Sequence, residues 1–120
     1  MEEELFAFIA PQLRSLKPHR EYLSPVLERA LSPLALAAAS PEGEELRVAH
    51  LDAVSGILQK HGRTEQTAAT LHLYWTLFTG VLAFWLGDDS PHQEDTLAAL
   101  DQALKMFVRS LPAPPEGGPP

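Results

Sequence analysis

The residues of this chain best suited to metal or acid–base chemistry are its five histidines, and their spacing argues against a metal site. A zinc-binding helix commonly places two histidines three or four residues apart, often as His-Glu-x-x-His, so that both rings share one face. No two histidines here have that spacing, and we expect no metal centre. The five are His19, His50, His61, His72 and His92.

Other catalytic arrangements are also missing from the sequence. It contains no cysteine, no Gly-x-Ser-x-Gly and no glycine-rich phosphate loop. The carboxylates gather at predicted helix starts, where capping explains them. The pair Asp88-Asp89 is expected in a turn, as a helix cap or solvated group and not as an acid–base pair. We predict that the protein is not an enzyme and uses no cofactor.

Composition restricts the partners and the compartment. The net charge is −7 and the nine basic residues are scattered, which argues against a nucleic-acid surface. Met1 is followed by three glutamates, so no basic region of a signal peptide is visible. The longest apolar run, Leu71–Leu86, is shorter than the roughly 20 residues of a membrane span. We expect one cytoplasmic domain without a membrane segment.

One apolar helix, predicted from Thr64 to Gly87, dominates the pattern and holds both tryptophans. Thr64 is a suitable N-cap, and Gly87 is a suitable residue to end the helix. At about 100° per residue, apolar side chains cover more than half of its circumference. Such a helix requires a second covering surface besides its own core. The remaining strip is His72, Thr76, Thr79, Gly80 and Ala83.

Polar and aromatic side chains on or near this helix are candidates for a small-molecule site. His72 is either a histidine bonded within the fold or a contact to a bound effector. The two threonines either bond back to helix carbonyls or offer hydroxyls in an apolar cavity. The aromatic residues serve the core first and a ligand second. The predicted ligand-binding residues are His72, Thr76, Thr79, Trp75, Tyr22 and His50.

The rest of the chain predicts an all-α bundle of five to six helices, with the last two long and antiparallel. The connection between those two, Gly87–Ser90, is short, which makes them neighbours. We place the domain at residues 1–111, with a loose stretch at Ser32–Glu45 and a disordered tail at Pro112–Pro120. Pro11 lies within the first predicted helix, 2–16, so we expect either a kink near Phe8–Ala10 or two shorter pieces. The other helices are predicted at 19–31, at 41–61 with Leu46 and Val54 inward and Gly62 as its stop, and at 91–111 with a Ser90–Gln93 capping box.

The last helix carries a seam of apolar residues at alternating spacings of three and four, beside a strip of small residues. Two such helices in each of two chains would make an intermolecular four-helix bundle. Alternatively, the first three helices cover both strips within one chain, and periodicity alone does not decide. The predicted dimer-interface residues are Leu77, Phe84, Leu97, Leu100, Leu104, Phe107 and Leu111.

The segment Leu73–Pro91 resembles the last two helices of the C-terminal domain in one branch of the tetracycline-repressor (TetR) family of transcription regulators. An apolar helix that ends in Phe-Trp, a short Asp/Ser-Pro turn and a heptad-like final helix recur there. Leu16–Arg20, Arg29–Pro33 and Ser40–Gly43 are similar as well. The resemblance covers about residues 5–111.

The resemblance implies a helical bundle that forms a homodimer through its last two helices. It also implies a hydrophobic or aromatic small-molecule effector, held in a cavity bounded by the second, third and fourth helices, that shifts the angle between the protomers. The family's N-terminal helix-turn-helix has no room here, so we expect no direct DNA binding. The chain would then be a fragment, the product of a late start or a natural single-domain relative. The alternatives are a stand-alone homodimeric binding protein for a hydrophobic molecule and a structural dimer without ligand.

Overall fold

The computed structural model describes residues 1–31, 41–63 and 67–112, and these residues form a helical bundle. The all-α class is as predicted. Thr64, the stretch 32–40 and the tail from 113 lie outside the described residues. The α-helices are α1 (Glu2–Leu16), α2 (Arg20–Leu31), α3 (Pro41–Lys60), α4 (Ala68–Leu86) and α5 (Glu94–Ser110), with short 3-10 turns at Lys17–His19 and Pro91–Gln93.

The end of α3 follows directly from one glycine. Gly62 has a φ of +80°, a backbone conformation that side-chain-bearing residues rarely adopt. Its N–H donates to the carbonyl of Gln59 at 3.0 Å, and the N–H of Arg63 donates to the carbonyl of Leu58 at 2.8 Å. These two bonds make a Schellman motif, which satisfies the last carbonyls of the helix. The predicted stop at Gly62 is confirmed.

The first half of α3 departs from the predicted packing. Val54 and Leu58 are fully buried, but Leu46, which was expected to face inward, is 73% exposed. Among the described residues α3 packs mainly against α1, and the buried positions of α3 all lie in its second half. The spacing of the apolar residues therefore predicted the helix correctly, but the prediction that Leu46 faces the core is wrong.

Helices α4 and α5 are antiparallel neighbours, as the short connection predicts. The Tyr74 ring, early in α4, lies 5.4 Å from the Phe107 ring, late in α5. At the other end, the indole N–H of Trp85 donates to the side-chain oxygen of Gln93. Helix α4 begins one turn later than predicted, with Thr67 as its N-cap. The α1 residues Leu5, Ile9, Ala10 and Leu13 complete the core between them.

The corner between α4 and α5 is built around the carboxylate of Asp88. It accepts hydrogen bonds from the N–H and hydroxyl of Ser90, at 2.8 and 2.5 Å, and from the N–H and hydroxyl of Thr96, at 2.9 and 2.5 Å. The predicted Ser90–Gln93 capping box is wrong. His92 and Gln93 have φ values of 53° and 60°, which turn the Gln93 side chain inward to Trp85. Asp88 and the Ser90 hydroxyl, which accepts from the N–H of Asp95 at 3.1 Å, therefore satisfy the first turn of α5 in place of the box.

Arg20 joins α2 to the same corner. Its guanidinium donates to the carbonyls of Trp85 at 3.0 Å and Asp88 at 2.7 Å, and it lies 5.8 Å from the centre of the Trp85 ring. A cation at the end of a helix suits the negative end of the helix dipole, and the ring face adds a cation–π contact. Asp89 completes the cluster with a 3.3 Å ion pair to Arg20. The start of α2 is thereby fixed against the end of α4.

Asp88→Ala should lower the free energy of unfolding by about 2–4 kcal/mol, because it leaves the buried Thr96 donors unpaired and removes the cap of α5. Asp88 is 6% exposed, whereas the side chain of its neighbour Asp89 is 94% exposed. Asp89→Ala is thus a matched control and should cost well under 1 kcal/mol. Urea unfolding at neutral pH measures both. Equal effects of the two substitutions would contradict the cap.

Candidate functional site

An aromatic cluster surrounds His50 where α1, α3 and α4 meet. The imidazole stacks on Phe78, with ring centres 4.3 Å apart, and is tilted against Phe8 at 5.1 Å. Trp75 approaches it edge-on at 5.8 Å, and Tyr74 stacks at 5.6 Å. Tyr74 is buried, and the other four side chains are half-buried. The cluster consequently belongs to the core on one side and reaches solvent on the other.

One short hydrogen bond orients the imidazole. The hydroxyl of Tyr74 and Nε2 of His50 are 2.6 Å apart, and among the described residues that hydroxyl has no other partner. Because Nε2 is the acceptor within reach of this buried hydroxyl, we assign the Tyr74 O–H as the donor and Nε2 as the acceptor. The proton of a neutral imidazole then sits on Nδ1.

Burial keeps both partners neutral. It lowers the pKa of His50 from 6.5 to about 4, because a half-buried imidazole loses solvation when it becomes charged. The same cause raises the pKa of Tyr74 well above its usual value. At neutral pH the pair is therefore a phenol that donates to an uncharged imidazole.

An apolar cleft lies on the core side of this cluster, between α1, α4 and α5. Its volume is about 10 Å³, room for about one water molecule. Small-molecule sites in proteins commonly have about 300–1,000 Å³. In this conformation the cleft is closed to a ligand of that size. Its walls are Ile9, Tyr74, Leu77, Phe78, Val81, Leu100, Ala103, Leu104 and Phe107.

The structure brings together two of the six predicted ligand-binding residues, His50 and Trp75. His72 is exposed, and Tyr22 is 82% exposed. The Thr76 hydroxyl donates to the carbonyl of His72 at 2.9 Å, and that of Thr79 to the carbonyl of Thr76 at 3.1 Å. Both threonines thus make the backbone bonds that were the alternative to a ligand role, and none of these four side chains is part of the cluster around His50.

Sequence reasoning missed Phe8 and Phe78 as members of the cluster. The signal was present for Phe8, which stands at the edge of the apolar stripe of α1, where side chains are half-buried. In the sequence, Phe78 is one of the residues of the wide apolar arc of α4, which indicates a core position and no more. Its contact with an α3 residue is set by how the helices cross, which spacing along one helix does not specify.

The predicted dimer-interface residues fall into two groups. Leu100, Leu104 and Phe107 are buried in the protomer's own core, where α1 and α4 cover them. They cannot contact a partner in this arrangement, because the seam of α5 is already filled within the chain. Phe84 is 50% exposed. The remaining three, Leu77, Leu97 and Leu111, are half-buried.

The side of α4 opposite the core is uncovered in the single chain. We give the name outer face to five exposed residues on this side: Leu73, Thr76, Gly80, Ala83 and Phe84. By length and composition α4 is the one helix in the described part of the chain that passes as a membrane span, with a mean hydropathy of 1.3 and 22% of that window buried. Core helices of soluble proteins pass the same test. Its low burial shows how much apolar surface the protomer leaves open.

His50 should make the protein less stable as pH falls from about 6.5 to about 4. In that range the unfolded chain binds a proton at His50 that the native state excludes, because the native pKa is about 4. His50→Gln should remove this part of the pH dependence, whereas His72→Gln, at an exposed histidine, should retain it. Urea unfolding between pH 7 and pH 4.5, at fixed protein concentration, measures the slope. An unchanged slope in His50→Gln would contradict the burial of a neutral imidazole.

Comparison with known proteins gives one match. Residues 4–115 match the family described as "Tetracyclin repressor-like, C-terminal domain". Comparisons with curated proteins and with solved structures found no significant match. The family match spans nearly the whole chain and agrees with the helical fold and the packing of α4 on α5. The chain belongs to the family of tetracycline-repressor-like C-terminal domains, which are regulator domains and not enzymes.

Proposed function

We propose that this chain is the effector-binding and dimerisation domain of a cytoplasmic TetR-like transcriptional regulator. C-terminal domains of this family typically dimerise and bind effectors. The observation that carries the proposal is that α4 has two distinct sides. One side holds the Tyr74–His50 pair in an aromatic cluster, and the opposite side is the uncovered outer face. With a net charge of −7, no DNA-reading role is proposed for these residues.

The outer face suits a two-fold contact between protomers. Three of its five residues are small, which lets two helix backbones approach closely, and Leu73 and Phe84 flank them with apolar area. On α5, Met106 is a further exposed apolar residue. An isologous contact through these helices buries the same patch on both chains. This dimer uses Phe84 from the predicted set and leaves Leu100 and Leu104 in the core.

Gly80→Leu should weaken the dimer without harming the protomer. A Cβ at Gly80 would meet nothing within 4 Å in the single chain, and removing a mid-helix glycine favours the helix. A leucine there would hold the partner helix away. Gly56, on α3, is equally open, so Gly56→Leu is the matched control. We expect sedimentation at micromolar concentration to show a dimer for the wild type and Gly56→Leu, and monomer for Gly80→Leu.

A monomeric wild type would refute the dimer, and a Gly80→Leu dimer as tight as the wild type would move the interface elsewhere. Charging the buried seam is a poor test. Leu104 is 4% exposed, so Leu104→Glu would unfold the protomer whether or not it dimerises. Phe84→Glu places the charge on the outer face, where the single chain tolerates it.

The closed cleft supports a second candidate, a structural dimer that binds no ligand. A volume of about 10 Å³ is what a filled core leaves behind. Under the first proposal, an effector enters beside His50 and the aromatic side chains move apart. Under the second, nothing enters and the cleft is a packing imperfection.

A thermal-shift screen of neutral apolar and aromatic compounds separates the two candidates. A ligand that binds only the native state adds about 2.7 kcal/mol of stability at one hundred times its Kd, and so raises the Tm. The effector proposal predicts that some of these compounds raise the Tm of the wild type. A screen in which no compound shifts the Tm would favour the structural dimer.

A further inference from the structure

We propose that the Nδ1–H of His50 is the recognition donor of this site, and that the effector is a neutral, planar aromatic molecule with a carbonyl-type oxygen. The inference rests on the proposed effector-binding function and adds the chemical class of the ligand. It assigns Tyr74 a positioning role, because its hydroxyl fixes which nitrogen of the imidazole carries the proton.

The Nδ1–H group is the part of the imidazole that the neighbouring side chains leave open, since their contacts are to the ring and to Nε2. The ring centre of Phe78 stacks 4.3 Å from that of the imidazole, and the tilted ring of Phe8 is centred 5.1 Å away. The Tyr74 hydroxyl oxygen is hydrogen-bonded to Nε2 at 2.6 Å. Within the described residues, every fully buried side-chain nitrogen or oxygen has a hydrogen-bond partner, and Nδ1 has none there. Nδ1 is therefore reached by solvent. It is a single N–H donor set among aromatic side chains.

A donor of this kind selects an acceptor. An N–H group on a ligand would face Nδ1–H donor to donor. A carbonyl oxygen accepts the hydrogen bond and, unlike a hydroxyl, brings no proton of its own that needs an acceptor. The acceptor is neutral because the cation nearest to His50 along α3 is already paired. Arg47, one turn before His50 on α3, is ion-paired with Glu44 at 2.6 Å. A carboxylate beside the cluster would lose solvation without a countercharge.

The shape of the ligand follows from the surrounding rings. Phe8, Trp75 and Phe78 are half-buried, so each leaves part of its ring uncovered around the donor. Rings prefer offset-stacked and edge-to-face contacts with other rings, at centre distances of about 4.5–7 Å. A planar aromatic ligand can contact these ring edges and faces and loses little conformational freedom when it binds. The carbonyl group of such a ligand would be directed at Nδ1.

The test uses fluorenone and fluorene, two planar molecules of the same skeleton that differ in the carbonyl group. One hydrogen bond to a half-buried donor should make the wild type prefer fluorenone about threefold to tenfold in Kd. In the double variant His50→Phe/Tyr74→Phe the preference should vanish, while fluorene still binds. Replacing both partners by rings of similar shape leaves no unpaired hydroxyl, so the fold is retained. His72→Phe, at an exposed histidine, should keep the preference.

A second readout is independent of affinity. In ¹⁵N spectra of the wild type, Nδ1 of His50 should carry the proton and Nε2 should not, and fluorenone should shift the Nδ1–H signal. Tyr74→Phe should release the imidazole to the other tautomer. A wild type that carries the proton on Nε2, or that binds the two compounds equally, overturns the inference.

The outcomes separate this inference from the function on which it rests. If screen compounds raise the Tm but neither need a carbonyl nor depend on His50, effector binding stands and the His50 assignment fails. If no compound in the screen, fluorenone included, binds the wild type, effector binding fails and the inference fails with it.

Discussion

Helix α4 is apolar around most of its circumference, and no single core can cover a helix of that kind. Helices α1 and α5 cover one side, where Tyr74, Val81 and Trp85 are buried. The opposite side keeps Leu73 and Phe84 in contact with solvent in the single chain. Exposing that much apolar surface costs free energy, which burial against a partner would recover. The rest of the fold can be understood as the means of holding α4 at a fixed angle to the helices that cover its inner side.

The corner after α4 sets that angle through polar groups. Asp88 is almost fully buried. Burial alone would raise its pKa, but four hydrogen bonds from Ser90 and Thr96 outweigh burial and hold the pKa well below its usual range. A carboxylate that accepts four hydrogen bonds is held in one position, because moving it would leave at least one of the donors unpaired. Arg20 adds α2 to the same corner through the carbonyls of Trp85 and Asp88. Three helices thus meet at one rigid polar cluster.

The sequence allowed the helices, their order and several of their ends to be predicted, since these depend on neighbours along the chain. Gly62 ends α3 because a left-handed residue is needed there, and spacing alone located α5. The corner was not predictable, because Asp88 reaches Thr96 only when His92 and Gln93 take positive φ values. The dimer interface could not be assigned from the sequence for a different reason. A seam such as Leu100–Leu104 fits an intramolecular neighbour as well as a second chain, and periodicity does not distinguish them.

The candidate site shows the same limit. Sequence singled out His50 without indicating which way it faced, because its role depends on Tyr74, which lies on a different helix. Burial keeps the imidazole neutral, and the Tyr74 bond leaves the proton on Nδ1, the donor that the proposed site uses. In the proposed function, α4 provides both the hydroxyl that sets this donor and the outer face that meets the partner. A ligand that separates the rings around His50 must displace α4 or α3, and a displaced α4 carries the dimer contact with it. Coupling between ligand and dimer then requires no further relay.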